Sequence, residues 1–171
     1  MEKILGNLLN LVIGSILVWL IVWFFFYNPE PEKEPEPEDT QIEVIFGEGA
    51  TTVVDEDFEG TSIVVTKEEA VIGEEVVGTL YTVSKEGEYY GGQIGTVTFK
   101  IALNNELEMI GYVEVLYEHT PRYKSFVLGF LDDLVGTNLN DFNDLDGNTG
   151  ATATTTLVIE MLEELKNTVN N

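Results

Sequence analysis

Between Ile4 and Tyr27 the chain reads ILGNLLNLVIGSILVWLIVWFFFY, without a single charged residue. A helix rising about 1.5 Å per residue needs a run of this length to cross a hydrocarbon core of about 30 Å, so the pattern predicts one transmembrane helix. Asn7 and Asn10 fall in its first turns, and Trp19, Trp23 and Tyr27 crowd its far end, where amphipathic rings favour the membrane interface. The run exceeds the apolar stretch of a signal peptide, and Tyr27 is followed by Asn28, Pro29 and Glu30 rather than by a small-residue cleavage site. A retained anchor over 1–28 is therefore expected. Lys3 and the terminal amine precede it and Lys33 follows among glutamates, an arrangement that places the amino terminus in the cytoplasm and the rest outside the cell.

Proline and glutamate then alternate through most of Pro29 to Asp39, with φ fixed at Pro29, Pro31, Pro35 and Pro37 and like charges set against each other. Residues 29–40 are read as a stiff linker that, at about 3.1 Å per residue, lifts the following domain roughly 30 Å from the membrane.

From 41 to 171 the pattern is that of one domain. Short β-type runs occur at Ile42 to Phe46, Ser62 to Thr66 and Thr79 to Ser84. A clearer one spans Thr96 to Leu103, where Val97, Phe99, Ile101 and Leu103 alternate with Thr96, Thr98, Lys100 and Ala102. Asn104-Asn105 then lead into Met109 to Tyr117, which predicts an antiparallel hairpin. The period next becomes helical, with Tyr123, Phe126, Val127, Phe130, Leu131 and Leu134 on one stripe and Leu157, Val158, Met161, Leu162, Leu165 and Val169 on a second. Strands first and helices late predict an α+β fold: an antiparallel sheet with helices packed on one face.

Charge narrows the partners. Eight Lys and Arg against thirty-one Asp and Glu leave a formal net charge of −23, which repels nucleic acid and anionic headgroups. With no cysteine, disulfides, thiolate zinc sites and cysteine-ligated iron–sulfur clusters are excluded.

Candidate chemistry concentrates at Asp141 to Thr156, DFNDLDGNTGATATTT, where a glycine-bearing turn runs into the last helical stripe. The free N–H groups and positive dipole end of such a helix start seat a phosphate. The other reading is structural: Thr152, Thr154, Thr155 or Thr156 caps the helix. A calcium loop is not supported, because Gly147 as sixth residue puts Phe142 first and Ala153 twelfth, neither with a side-chain oxygen. His119, the only histidine, has no Gly-x-Ser-x-Gly elbow with it, so a serine hydrolase is not indicated. No catalytic residue and no metal ligand are predicted.

Asp146-Gly147-Asn148-Thr149-Gly150-Ala151-Thr152 resembles the Asp-x-x-(Ser/Thr)-Gly-Ala-Thr signature of the FMN-binding domain family, which includes covalently flavinylated components of the Rnf complex and of the sodium-translocating NADH:quinone oxidoreductase. Tyr89-Tyr90-Gly91-Gly92-Gln93-Ile94, the hairpin after it and Thr120-Pro121 also resemble the family's order of elements. In place of the Glu-Thr-Pro-Gly common among the Rnf members of the family, this chain has His119-Thr120-Pro121-Arg122. The resemblance implies FMN esterified through its phosphate to Thr152, attached by a flavin transferase. It implies a cofactor site of Asp146, Thr149, Gly150, Ala151, Thr152, Thr154, Thr155, Thr120 and Pro121. It implies electron transfer within an ion-translocating chain, with other membrane redox subunits, quinone or extracellular carriers as partners. A stand-alone flavin carrier and a non-redox surface interaction module are the alternatives.

Overall fold

The computed structural model describes residues 38–142, 145–147 and 149–171. The expected anchor and most of the expected linker lie outside these residues. Among the described residues no helix is long and apolar enough to cross a membrane.

The fold is α+β. A helix α1 (Glu38–Phe46) precedes five strands, β1 (Ala50–Val54), β2 (Val64–Ile72), β3 (Glu75–Tyr89), β4 (Gln93–Asn104) and β5 (Met109–Tyr117). After a 3-10 turn at Pro121–Tyr123 come α2 (Lys124–Asp132), a second 3-10 turn at Leu139–Asp141, and α3 (Thr152–Val169). The strands form one antiparallel sheet in the order β1-β2-β3-β4-β5, each paired with its neighbour in sequence. The predicted hairpin is β4–β5, and its turn depends on Asn104, whose Oδ1 accepts from the backbone N–H groups of Glu106 and Glu108 at 2.9 Å each.

Alternation sorts the side chains between two cores. On one face Tyr81 and Val83 of β3, the expected row Val97, Phe99, Ile101 and Leu103 of β4, and Met109 meet Val127, Phe130 and Leu131 of α2 and Val158, Met161, Leu162 and Leu165 of α3. Both late stripes face this core, although Phe126 is half exposed, Tyr123 and Val169 are only partly buried, and Tyr123 and Leu134 fall just outside α2.

The other face corrects two expectations. Ile42 to Phe46 is not a strand but the second half of α1, and helices consequently lie on both faces of the sheet rather than one. Ile42, Ile45 and Phe46 recur at i, i+3 and i+4 and pack against Ala70, Leu80, Ala102 and Val113, while Val44 points to solvent. Two glycines make the seat: a Cβ on Gly78 would lie 2.6 Å from the Phe46 ring, and one on Gly111 3.0 Å from Ile45. The helix also begins at Glu38, inside the segment expected to be linker. Lys100 of β4 ion-pairs with Glu38 there and, at 2.7 Å, with the buried Glu68 of β2.

Candidate functional site

The first turn of α3 forms the floor of a cleft of about 270 Å³ lined by Tyr89, Tyr90, Thr120, Tyr123 and the run Gly150 to Thr154. Part of its lining comes from the end of β3 and the β3–β4 turn, where Gly91 and Gly92 both take positive φ (79° and 75°), a conformation that favours glycine. That turn carries Tyr89 and Tyr90 to the cleft, and Tyr90 faces Tyr123 with ring centroids 6.4 Å apart.

The residue at the N-cap of α3 supplies no side-chain cap bond. It is Ala151, at φ −123° and ψ 41°, and each of the four threonines expected as caps is engaged elsewhere. The Thr152 hydroxyl donates to the Thr149 carbonyl at 2.8 Å. Thr155 and Thr156 donate back to the carbonyls of Ala151 and Thr152, at 3.3 and 2.9 Å. Thr154 is bonded to His119. The start of α3, the positive end of its dipole, therefore lies at the cleft, and Thr152 is exposed at its first position. Gly150, just before it, is packed under Phe126, whose ring carbons would lie 2.9 Å from an added Cβ.

Behind the cleft is a buried polar cluster. His119 is 1% exposed, stacks on Tyr89 with centroids 4.3 Å apart at 23°, and uses both ring nitrogens: Nε2 lies 3.0 Å from the Gly95 carbonyl and Nδ1 2.8 Å from the Thr154 hydroxyl. The Tyr117 ring meets the same imidazole edge-on at 6.1 Å, and its hydroxyl is buried without a hydrogen-bond partner among the described residues. Burial raises the Tyr117 phenol above its ordinary value; the neighbouring Thr154 hydroxyl opposes the rise and Glu114 adds to it. Two cations stand nearby, Arg122 at 5.7 Å over the Tyr123 ring and Lys124 at 5.8 Å over the Tyr117 ring.

Of the residues predicted for the site, Thr120, Gly150, Ala151, Thr152 and Thr154 line the cleft. Thr149 and Thr155 do not; their hydroxyls bond each other at 2.7 Å beneath the turn, and the Thr149 oxygen accepts the Ala151 N–H at 3.1 Å. These two hold the loop that positions Thr152. Pro121 opens the 3-10 turn behind Thr120, and Asp146 is exposed outside the lining. Three tyrosines and His119 are absent from the predicted site, although the Tyr89-Tyr90-Gly91-Gly92 sequence marks its aromatic wall.

These groups fit a planar aromatic ligand that carries a phosphate. The helix start suits the anion, the tyrosine rings suit the plane, and the Tyr117 hydroxyl lies in the polar cluster behind it. Compared with known proteins, the sequence matches no family model and no curated protein.

Proposed function

We propose that this chain is a membrane-anchored electron-transfer flavoprotein that carries FMN as a phosphoester on Thr152. In this reading it resembles the covalently flavinylated component of the Rnf complex, and works outside the cell with neighbouring membrane redox partners. The observation that carries the reading is the position of Thr152, at the first turn of α3 and in the lining of a tyrosine-walled cleft. A phosphodiester at that place sits on the positive end of the helix dipole, an interaction of about 0.3–1 kcal/mol and more where partly buried. The flavin supplies the electron chemistry when bound, and the protein supplies attachment, orientation and electrostatics.

Each residue has a share in this. Thr149 and Thr155, bonded to each other, hold the Gly150–Ala151 turn. Gly150 keeps that turn flat against Phe126. Tyr89, Tyr90 and Tyr123 exclude water from the faces of a bound ring. Thr152 does not activate itself: its hydroxyl donates to a carbonyl, which cannot take its proton, so attachment requires a transferase that brings the base. A single anchor over 1–28 and the Pro/Glu linker over 29–40 suit a domain held at the membrane yet able to reach a partner.

The test is intact-mass spectrometry and in-gel ultraviolet fluorescence on denatured full-length protein co-expressed with a flavin transferase. Flavin that survives denaturation in the wild type and is absent from Thr152→Ala is the expected result. A wild-type chain of unmodified mass, with no fluorescence, returns the domain to a non-redox interaction module.

A further inference from the structure

His119 does not line the cleft, yet it contacts two of the groups that do. Its ring is stacked against Tyr89, and its Nδ1 lies 2.8 Å from the hydroxyl of Thr154. The hydrogen positions follow from the acceptors. The Gly95 carbonyl, 3.0 Å from Nε2, can only accept, so Nε2 must carry the proton. In the neutral ring Nδ1 then has a lone pair and no hydrogen, and the Thr154 O–H must be the donor of the second bond. A hydroxyl has one proton, and that of Thr154 is committed to His119. What Thr154 has left is lone pairs. The Tyr117 hydroxyl beside it has one proton and can take at most one of them, which leaves an acceptor site on Thr154.

We infer that His119 is a positioning residue that sets the hydrogen-bond polarity of the cleft: through one fixed tautomer it makes Thr154 an obligate acceptor, so the ligand must present an N–H or O–H donor there. The inference rests on the flavin reading of the same cleft, in which the donor is the N–H edge of the isoalloxazine ring or a ribityl hydroxyl. It also gives a role to the residue by which this chain departs from Glu-Thr-Pro-Gly. A carboxylate in that position is acceptor-only and could not donate to the Gly95 carbonyl, whereas imidazole donates on one side and accepts on the other. The same ring backs Tyr89, so the polar end of the cleft and its aromatic wall are set by one side chain.

The experiment uses the full-length chain in two stages. His119 is the sole histidine of the sequence, so long-range proton–nitrogen NMR on the labelled, flavin-free protein reads its tautomer without ambiguity. Protonated Nε2 with unprotonated Nδ1 is expected; the opposite tautomer overturns the inference. Protein co-expressed with flavin transferase is then compared as wild type, His119→Phe, His119→Gln and Thr154→Val, with covalent flavin verified by intact mass. Phe keeps a ring against Tyr89 but removes both hydrogen bonds, and Val removes the acceptor while leaving His119 in place. Both are expected to lose at least half of the flavin's visible circular dichroism and to shift its absorption in the same direction. His119→Gln, which retains one donor and one acceptor, is expected to recover most of the wild-type signal. Should flavinylated Phe and Val variants both keep wild-type spectra, the inference fails while the flavin reading stands. A wild-type chain without flavin overturns the flavin reading and the inference with it. Should His119→Phe not fold, as judged by far-ultraviolet circular dichroism, Thr154→Val decides the matter by the same spectra.

Discussion

Lys100 Nζ lies 2.7 Å from a carboxylate oxygen of Glu68 under α1, and the same ammonium holds Glu38, the first residue of that helix. Glu68 is 7% exposed, so its charge depends on Lys100 for compensation. Removing one partner of such a pair is worse than removing both. Lys100→Met is expected to destabilise the domain by about 3 kcal/mol, the lower end for a stripped buried pair, and Glu68→Gln in the same chain to recover more than half of that. Urea unfolding followed by near-ultraviolet circular dichroism of tyrosine checks this; a double variant no more stable than Lys100→Met would refute it.

Alkaline pH loads the same face and the opposite one. Around Lys100 burial is the largest influence and lowers its pKa, but the bonds to Glu68 and Glu38 outweigh it and leave the group above the ordinary 10.5. The Tyr112 phenol is raised above 10.0 first by burial and then by its hydrogen bond to Asp132, at 2.8 Å on α2. Both groups are held protonated by the fold. Their contribution is therefore complete below the unfolded values and is lost as pH climbs through the higher folded ones. The urea midpoint is expected to be flat to about pH 9.5 and to fall steadily above about pH 10, with a shallower fall in Tyr112→Phe. An unchanged slope in that variant would assign the loss to other groups.

Gly78→Ala tests the seat of α1. The new Cβ would lie 2.5 Å from the Leu103 carbonyl oxygen and 2.6 Å from the Phe46 ring. A ring can turn away, but a ladder carbonyl cannot. A loss of about 2–3 kcal/mol is expected, in the overpacking range, and Phe46→Ala added to it is not expected to restore wild-type stability. Thermal unfolding of the single and double variants is the measurement.

At Gly150→Ala the clash is with Phe126 alone, at 2.9 Å, and Phe126 is half exposed and free to swing outward. Stability is expected to fall by less than about 1 kcal/mol. Flavin loading is expected to fall much further, because the displaced ring and the new methyl both alter the turn that presents Thr152. Intact mass and thermal unfolding on one preparation separate the two effects; equal losses in both would deny Gly150 a specific part in the site.

How far the sequence discloses all this depends on the range of the interactions. The β4 row and the two late helical stripes are local patterns with a buried face, and they read correctly. α1 does not, because Ile42, Val44 and Ile45 are β-branched and the window is short; what makes it a helix is a seat built by Gly78 and Gly111, far along the chain. β2 hides behind Lys67-Glu68-Glu69, whose charges look unlike a strand until Lys100 is placed opposite Glu68. At the site, Gly150 to Thr154 are contiguous and legible together. Tyr89, Thr120, Tyr123 and His119 converge only through the β3–β4 register and the end of β5, which no local window contains.

The two tyrosines at the β3–β4 turn are not equivalent. Tyr89 is stacked against a buried imidazole, while Tyr90, its neighbour, is 73% exposed and meets the Tyr123 ring at the rim. One and the same wall thus pairs a buttressed ring with a solvent-facing one. Thr152 on the floor is itself exposed, so a transferase or partner reaches it past one surface side chain without disturbing the sheet beneath.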